Sequence, residues 1–368
     1  MRGKRTITRL LVATLMLTLL ASMPLATAAA PNRQDKKFKI AVSVPGLNFP
    51  FFVHVMDIAK TKSTELNVEM VQFDGKDDSN TQIADLESAI SQGVDGVVVS
   101  PRDAAVATGI QSVLDAGIPV VTFDRNVSDV ATLAHVGADN VRGGEKQGEY
   151  LIKILPNGGK IIELEGTTGA SPAIDRDAGF KKALEGHSEY QIVFDQTAAF
   201  KRDQGLSVTE NALQAHSDIN AIVAANDDMA SGAAEAVAGA GIKVPIIGFD
   251  ALPETLQAIQ AGTITATIEQ WPGKQVSGAM QIMVDYLKDK KEPAQHDNFI
   301  DPTLIDASNL GQAERAAEAG ISPSGTPVGT PAGTPTTSIW RDGLAHSPSF
   351  EPRSVIVSKP SDAVIRLD

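Results

Sequence analysis

From Phe38 the chain alternates short apolar, β-branched runs with longer stretches whose apolar residues recur at helical spacing. FKIAVSV (38–44), VEMVQF (68–73), GVVVS (96–100) and PVVTF (119–123) are bounded by turn residues and predict buried strands. Between them, Asn80 to Gln92 places Ile83, Leu86 and Ile90 on one face and predicts an amphipathic helix. Strand–helix alternation of this kind predicts α/β lobes built on doubly wound parallel sheets. The pattern then repeats. VDGVVVSPRDAA (94–105) is echoed by INAIVAANDDMA (219–230), and AGIPVVTFD (116–124) by AGIKVPIIGFD (240–250). Both echoes lie about 125 residues downstream, so the chain is expected to form two lobes of similar fold, each with its own sheet.

The two ends have a different character. Residues 1–28 carry Arg2, Lys4, Arg5 and Arg9, an apolar run, and the small residues Ala26 and Ala28. This is the form of a secretory signal peptide cleaved after Ala28, and Pro24 argues against a membrane anchor. The mature protein is therefore expected outside the cytoplasm, periplasmic or extracellular. With no cysteine it carries no lipid anchor, and disulfides and thiol chemistry are excluded. Past Leu310, three Gly-Thr-Pro units at 325–335 mark residues 310–368 as a low-complexity linker and disordered tail.

Charge narrows the partners. The 368-residue chain has 32 Lys and Arg against 45 Asp and Glu, a net charge of −13, and no basic cluster past the N-terminal segment, which argues against nucleic acid. Ligands of open α/β sheets bind beyond the carboxyl ends of the strands. That rule selects residues 46–52, 100–103 and 124–126 in the first lobe, and 166–176, 226–228 and 250–252 in the second. These loops carry Asp124, Arg125, Arg176, Asn226 and Asp250, with Phe49, Phe51 and Phe52 beside them. Carboxylates and guanidinium forks suit sugar hydroxyls, and aromatic faces suit the C–H faces of a sugar ring. Two acids and two arginines cancel, so neither phosphate nor metal is expected.

Plainer readings stand beside these. Asp74, Asp124 and Asp250 each follow a Phe at a strand end and, taken singly, read as helix N-caps. Phe51 and Phe52, after Pro50, read equally as a helix start facing the core. Arg176 could pair with Asp175 or Asp177 on the surface. Enzyme motifs fail: the Gly169–Ala173 segment has Pro after its Ser, Gly166–Gly169 lacks the Lys of a phosphate loop, and the six His are scattered. Asp74-x-Lys76-x-Asp78 has a cation where a calcium loop needs an acceptor. No enzyme activity, cofactor or metal is expected.

With these residues in hand, the chain from about Phe38 to Asn309 resembles the periplasmic sugar-binding proteins of ABC importers, of the ribose-binding type (periplasmic binding protein type I). The resemblance rests on NFPFF (48–52), VTFDR (121–125), GADN (137–140), IELEGTTGASPAIDRDAGF (162–180), NDDMASGA (226–233), IIGFD (246–250) and ATIEQ (266–270). It implies two hinged lobes joined by three crossovers, near Ala138, Gln270–Trp271 and Ile300. The N-terminal lobe would hold 36–138 and 271–299, the C-terminal lobe 139–270 and 300–309. It also implies a monomer that closes on a neutral monosaccharide and delivers it to a membrane permease. A chemoreceptor or kinase ectodomain reading the same closed shape is the alternative. The ligand set so implied is Asn48, Phe49, Phe51, Phe52, Asp124, Arg125, Arg176, Phe200, Asn226, Asp250 and Gln270. Phe200 and Gln270 come from the resemblance alone. One position departs: Phe49 stands where the ribose-binding type has a second Asn, which removes a polar contact and puts ribose itself in doubt.

Overall fold

The structure, a computed structural model, describes residues 37–324. The signal peptide expected at 1–28 and the Gly-Thr-Pro segment lie outside the described residues. The first strands are those the apolar runs predict: β1 (Lys39–Val44), β2 (Glu69–Asp74), β3 (Gly96–Val99) and β4 (Val120–Phe123). Helices α1 (Pro50–Glu65), α2 (Ser79–Ser91) and α3 (Ala107–Asp115) connect them. Val97, Val98 and Val99 are all fully buried, because helices cover both faces of the sheet, and this is why the strands read as unbroken apolar runs. Asp78, not Asp74, caps α2 by accepting from the Thr81 N–H at 2.7 Å.

β5 (Ala134–Ala138) completes this run, and α4 (Asn140–Ile154) begins the second unit. There follow β6 (Gly159–Glu165), α5 (Ser171–Ala183), β7 (Tyr190–Thr197), α6 (Arg202–Ala215), β8 (Ala221–Ala224), α7 (Asp227–Gly239), β9 (Ile246–Ile247), α8 (Pro253–Ala261) and β10 (Ala266–Glu269). The chain then returns through α9 (Pro272–Asp289) to β11 (Asp297–Ile300), and crosses again to β12 (Thr303–Asp306).

Two six-stranded sheets result, ordered β11-β5-β4-β3-β1-β2 and β12-β10-β9-β8-β6-β7. The segments that echo each other in sequence, at β3 and β8 and at β4 and β9, occupy equivalent places in the two sheets, as two lobes of one fold require. All pairings are parallel except β10 with β12, which is antiparallel. The chain passes between sheets after Ala138, after Glu269 and after Ile300. At the second passage Trp271 has φ +60° and the Lys274 ammonium sits 3.5 Å from its ring centroid.

The expectation of a tail from residue 310 is corrected for residues 310–324. Leu310, Ala313, Ala316 and Ala319 recur at helical spacing and are buried. The Glu314 N–H donates to Glu269 at 2.7 Å, and its carboxylate accepts from the Gly273 N–H at 2.9 Å and lies 3.1 Å from His54 Nε2. The Gln257 amide donates to the Ala319 carbonyl at 3.2 Å. This segment therefore ties α1, the second crossover and α8 together. Among the described residues no helix is long and apolar enough to cross a membrane.

Candidate functional site

The carboxyl ends of the two sheets face one another, and a cavity lies between them. Its wall takes Phe49, Phe51, Phe52, Asp124 and Arg125 from the first lobe, and Pro172, Arg176, Phe200, Asn226, Asp228 and Asp250 from the second, with Gln270 at the crossover. Asn48 is not in this wall. It lines a wider outer groove with Pro50, Lys201 and Glu254.

Each wall residue is placed by local chemistry. Pro50 starts α1, so Phe51 and Phe52 sit in its first turn; their rings meet edge-on at 5.0 Å and both belong to the core as well as to the wall. The pair thus starts the helix, packs in the core and lines the cavity at once. Asp124 and Asp250 are not caps. They adopt φ +57° and +116°, left-handed conformations that turn the chain sharply after β4 and β9. Such conformations cost about 1–3 kcal/mol each in a non-glycine residue, and the surrounding bonds must hold them. Asp124 accepts from the Ser100 hydroxyl at 3.0 Å. Asp250 accepts from the Gln270 amide at 2.5 Å. Beneath it, fully buried Asp227 fixes the turn by accepting from the Leu252 N–H and the Thr267 hydroxyl. Asn226 is the residue here that caps a helix, accepting from the Met229 N–H while donating to the Phe200 carbonyl.

The two guanidinium groups are the structural centre. Arg176 is 3% exposed, so the surface-pairing reading is wrong. It donates to Asn140 Oδ1 at 2.9 Å and to the Ala225 carbonyl at 2.6 Å, lies 3.8 Å from Asp250, and stacks 3.6 Å from the Phe249 ring centroid. Arg125 donates to the Arg102 carbonyl at 2.7 Å and lies 3.8 Å from Asp124. Phe52 and Phe200 flank it at 5.3 and 5.1 Å. Each cation is thus held by protein bonds along one edge and by a ring on its face.

Phe200 reaches the wall because Ala199 and Phe200 both take left-handed backbone, φ +55° and +60°. Gly166 makes room for it, since a Cβ there would collide with the Phe200 ring. Across the cleft mouth, Arg102 Nε donates to Asp77 Oδ1 at 3.0 Å, and Lys201 from the facing lobe reaches Asp77 Oδ2 at 2.5 Å.

Burial sets the electrostatics. It raises the Asp124 carboxyl, with Arg125 and Arg176 partly offsetting it. Asp250 is pushed up to about 7 by burial, against the pull of Arg176. Arg125 is lowered by burial to about 10 and so stays charged at neutral pH. Behind the site, Glu163, Asp177 and Asp195 converge on Lys181, whose ammonium lies 2.5 Å from Asp177 and 2.9 Å from Asp195. A cation of the chain itself occupies that cluster.

Pro172 and Asp228 are wall residues absent from the set expected from sequence. An acid in the first turn of a helix reads as a partner for the helix dipole, and nothing local separates that role from a cavity wall.

The sequence pattern of the periplasmic binding protein domain matches residues 40–291. The chain is 35% identical over 291 residues to the ribose import binding protein of Bacillus subtilis (strain 168), covering 78% of this chain and 95% of that one. Among solved structures, the Caulobacter myo-inositol binding protein bound to myo-inositol superposes with a TM-score of 0.73 and 38% identity, over 76% of this chain and 97% of the other. An ABC transporter solute binding protein from Bacillus halodurans C-125 with bound myo-inositol gives 0.72 and 30%, over 76% and 98%. A match over most of the folded chain, two lobes of one topology and a walled cavity between them make this chain a member of the periplasmic binding protein family.

Proposed function

We propose that the protein is an exported solute-binding protein that closes on one neutral ring polyol, a pentose, hexose or cyclic hexitol, and delivers it to an ABC importer. The observation that carries this reading is the cavity itself: it is contributed by both lobes and lined by aromatic rings and paired charges. The relatives that bind ribose and myo-inositol support the ligand class. Secretion rests on the signal-peptide pattern of residues 1–28.

In this reading Phe51, Phe52 and Phe200 pack on the C–H faces of the ring. Asp124 and Asp250 accept from hydroxyls, and the edges of Arg125 and Arg176 not bonded to protein donate to them. Charge-assisted bonds of this type contribute about 1.5–3 kcal/mol each where water is excluded. Because groups of both lobes touch one ligand, binding favours the closed state by the difference in contacts between the two states. Phe49 offers a ring edge where an amide would offer a donor, which favours ligands other than ribose. Asn48, outside the wall, is assigned no direct contact.

The test is thermal unfolding and calorimetry of the purified protein against D-ribose, D-allose, D-galactose and myo-inositol. A bound member raises the melting temperature with concentration, by about 2.7 kcal/mol of stabilisation at a hundredfold excess over Kd. A flat response to every neutral pentose, hexose and cyclitol would end the proposal.

A further inference from the structure

Asp228 stands apart from the other polar groups of the wall. Asp124, Arg125, Arg176, Asn226, Asp250 and Gln270 are each tied to the protein by a hydrogen bond. Among the described residues Asp228 makes neither hydrogen bond nor ion pair, and its Oδ2 is shut off from solvent without a partner. A buried acceptor left unpaired costs about 1–3 kcal/mol, more if charged, and such a group at a binding cavity is one that a ligand completes. Its place is also specific. Asp228, Phe49 and Phe200 are the residues common to the cavity and the outer groove, so they form the cavity's mouth-side end. Two of the three offer only rings, and Asp228 supplies that end's hydrogen-bonding capacity.

We propose that Asp228 is a ligand-contacting residue that sets specificity: its free carboxylate oxygen pairs with a hydroxyl on the ring edge facing the mouth, so the preferred ligand is a ring hydroxylated at that edge. This rests on the polyol-binding reading above. Burial, opposed by Arg202 and reinforced by Glu254, raises the Asp228 carboxyl to about 6, in keeping with a group sheltered from water. A site built to hydrogen-bond a hydroxyl rejects the analogue that lacks it far more strongly than an apolar pocket does, because the site's own polar group is left unpaired.

The experiment measures binding of D-ribose, D-allose and myo-inositol, then of every monodeoxy analogue of the tightest of them, to the wild type, Asp228→Asn and Asp228→Ala. In the wild type one deoxy analogue should bind at least 100-fold more weakly than its parent. Asp228→Ala should lose 10- to 100-fold on the parent and bind that analogue no worse than the parent. Asp228→Asn, which still accepts, should recover part of the discrimination. A merely structural role at the start of α7 would weaken parent and analogues alike, and that result overturns the proposal. So does parent affinity in Asp228→Ala within threefold of wild type. If the wild type binds none of the three polyols, the polyol-binding reading itself fails.

Discussion

Arg176 and Asp250 allow a quantitative test of how the site is held. Both are buried, their charged atoms lie 3.8 Å apart, and among the described residues no closer cation serves Asp250. At an effective dielectric constant of 20 the attraction is about 4 kcal/mol. Replacing Arg176 by Met keeps much of the side chain's volume over Phe249 but removes the charge, the donor to Asn140 and the donor to the Ala225 carbonyl. Asp250, already raised to about 7, then rises further and takes up a proton at neutral pH. That escape limits the folding penalty to the two abandoned acceptors, about 2–4 kcal/mol. Binding has no such escape, because a ligand that needs a carboxylate acceptor and a guanidinium donor loses both. The expected loss of affinity is about 3–6 kcal/mol, 100-fold to beyond detection. Calorimetry on wild type, Arg176→Met, Asp250→Asn and the double variant closes a cycle, and the coupling energy should exceed about 2 kcal/mol. Additive losses, or either single variant binding within threefold of wild type, would show that the two groups do not act as one.

Three further outcomes follow from the geometry. Lys201→Met should cost about 0.5–1 kcal/mol of binding, a two- to fivefold loss seen mainly as faster dissociation in stopped flow. Added salt should shrink that loss, and a salt-independent effect would exclude the Asp77 pair as its source. Burial raises Glu163 to about 9 from its ordinary 4.5, so the folded protein keeps a proton that the unfolded chain sheds. Stability from this group is therefore full below about pH 4.5 and falls as pH rises toward 9. Glu163→Gln should flatten the decline in melting temperature between pH 5.5 and 8.5, and parallel curves would refute the assignment. Truncation after Asn309 removes buried Leu310 and three buried alanines together with the Glu314 bonds to Glu269 and Gly273. It should cost about 3–5 kcal/mol by urea unfolding, and an unchanged midpoint would show the segment to be superficial.

The parallel strands of the first lobe were legible because both their faces are buried, leaving apolar runs such as GVVV with clean boundaries. The loops were legible through the rule that ligands lie at the carboxyl ends of such strands. The backbone sign at Asp124 and Asp250 was not. Their cap reading failed because the turn that orients them is held by Ser100, Thr267 and Asp227, which are distant in sequence. Glu314 was hidden for the same reason, since its partners lie at Glu269, Gly273 and His54. The nearby Gly-Thr-Pro repeat drew the tail boundary too early, although the alanine spacing from 313 to 319 already carried a packing signal.

The order in which the chain visits its two sheets also bears on biosynthesis. β11, an edge strand of the first sheet, is made only after every strand of the second sheet but β12. On the ribosome, neither half can mature until about four-fifths of the polypeptide has emerged. A nascent chain so arranged stays open late, which is the condition a translocation channel that threads extended polypeptide would require.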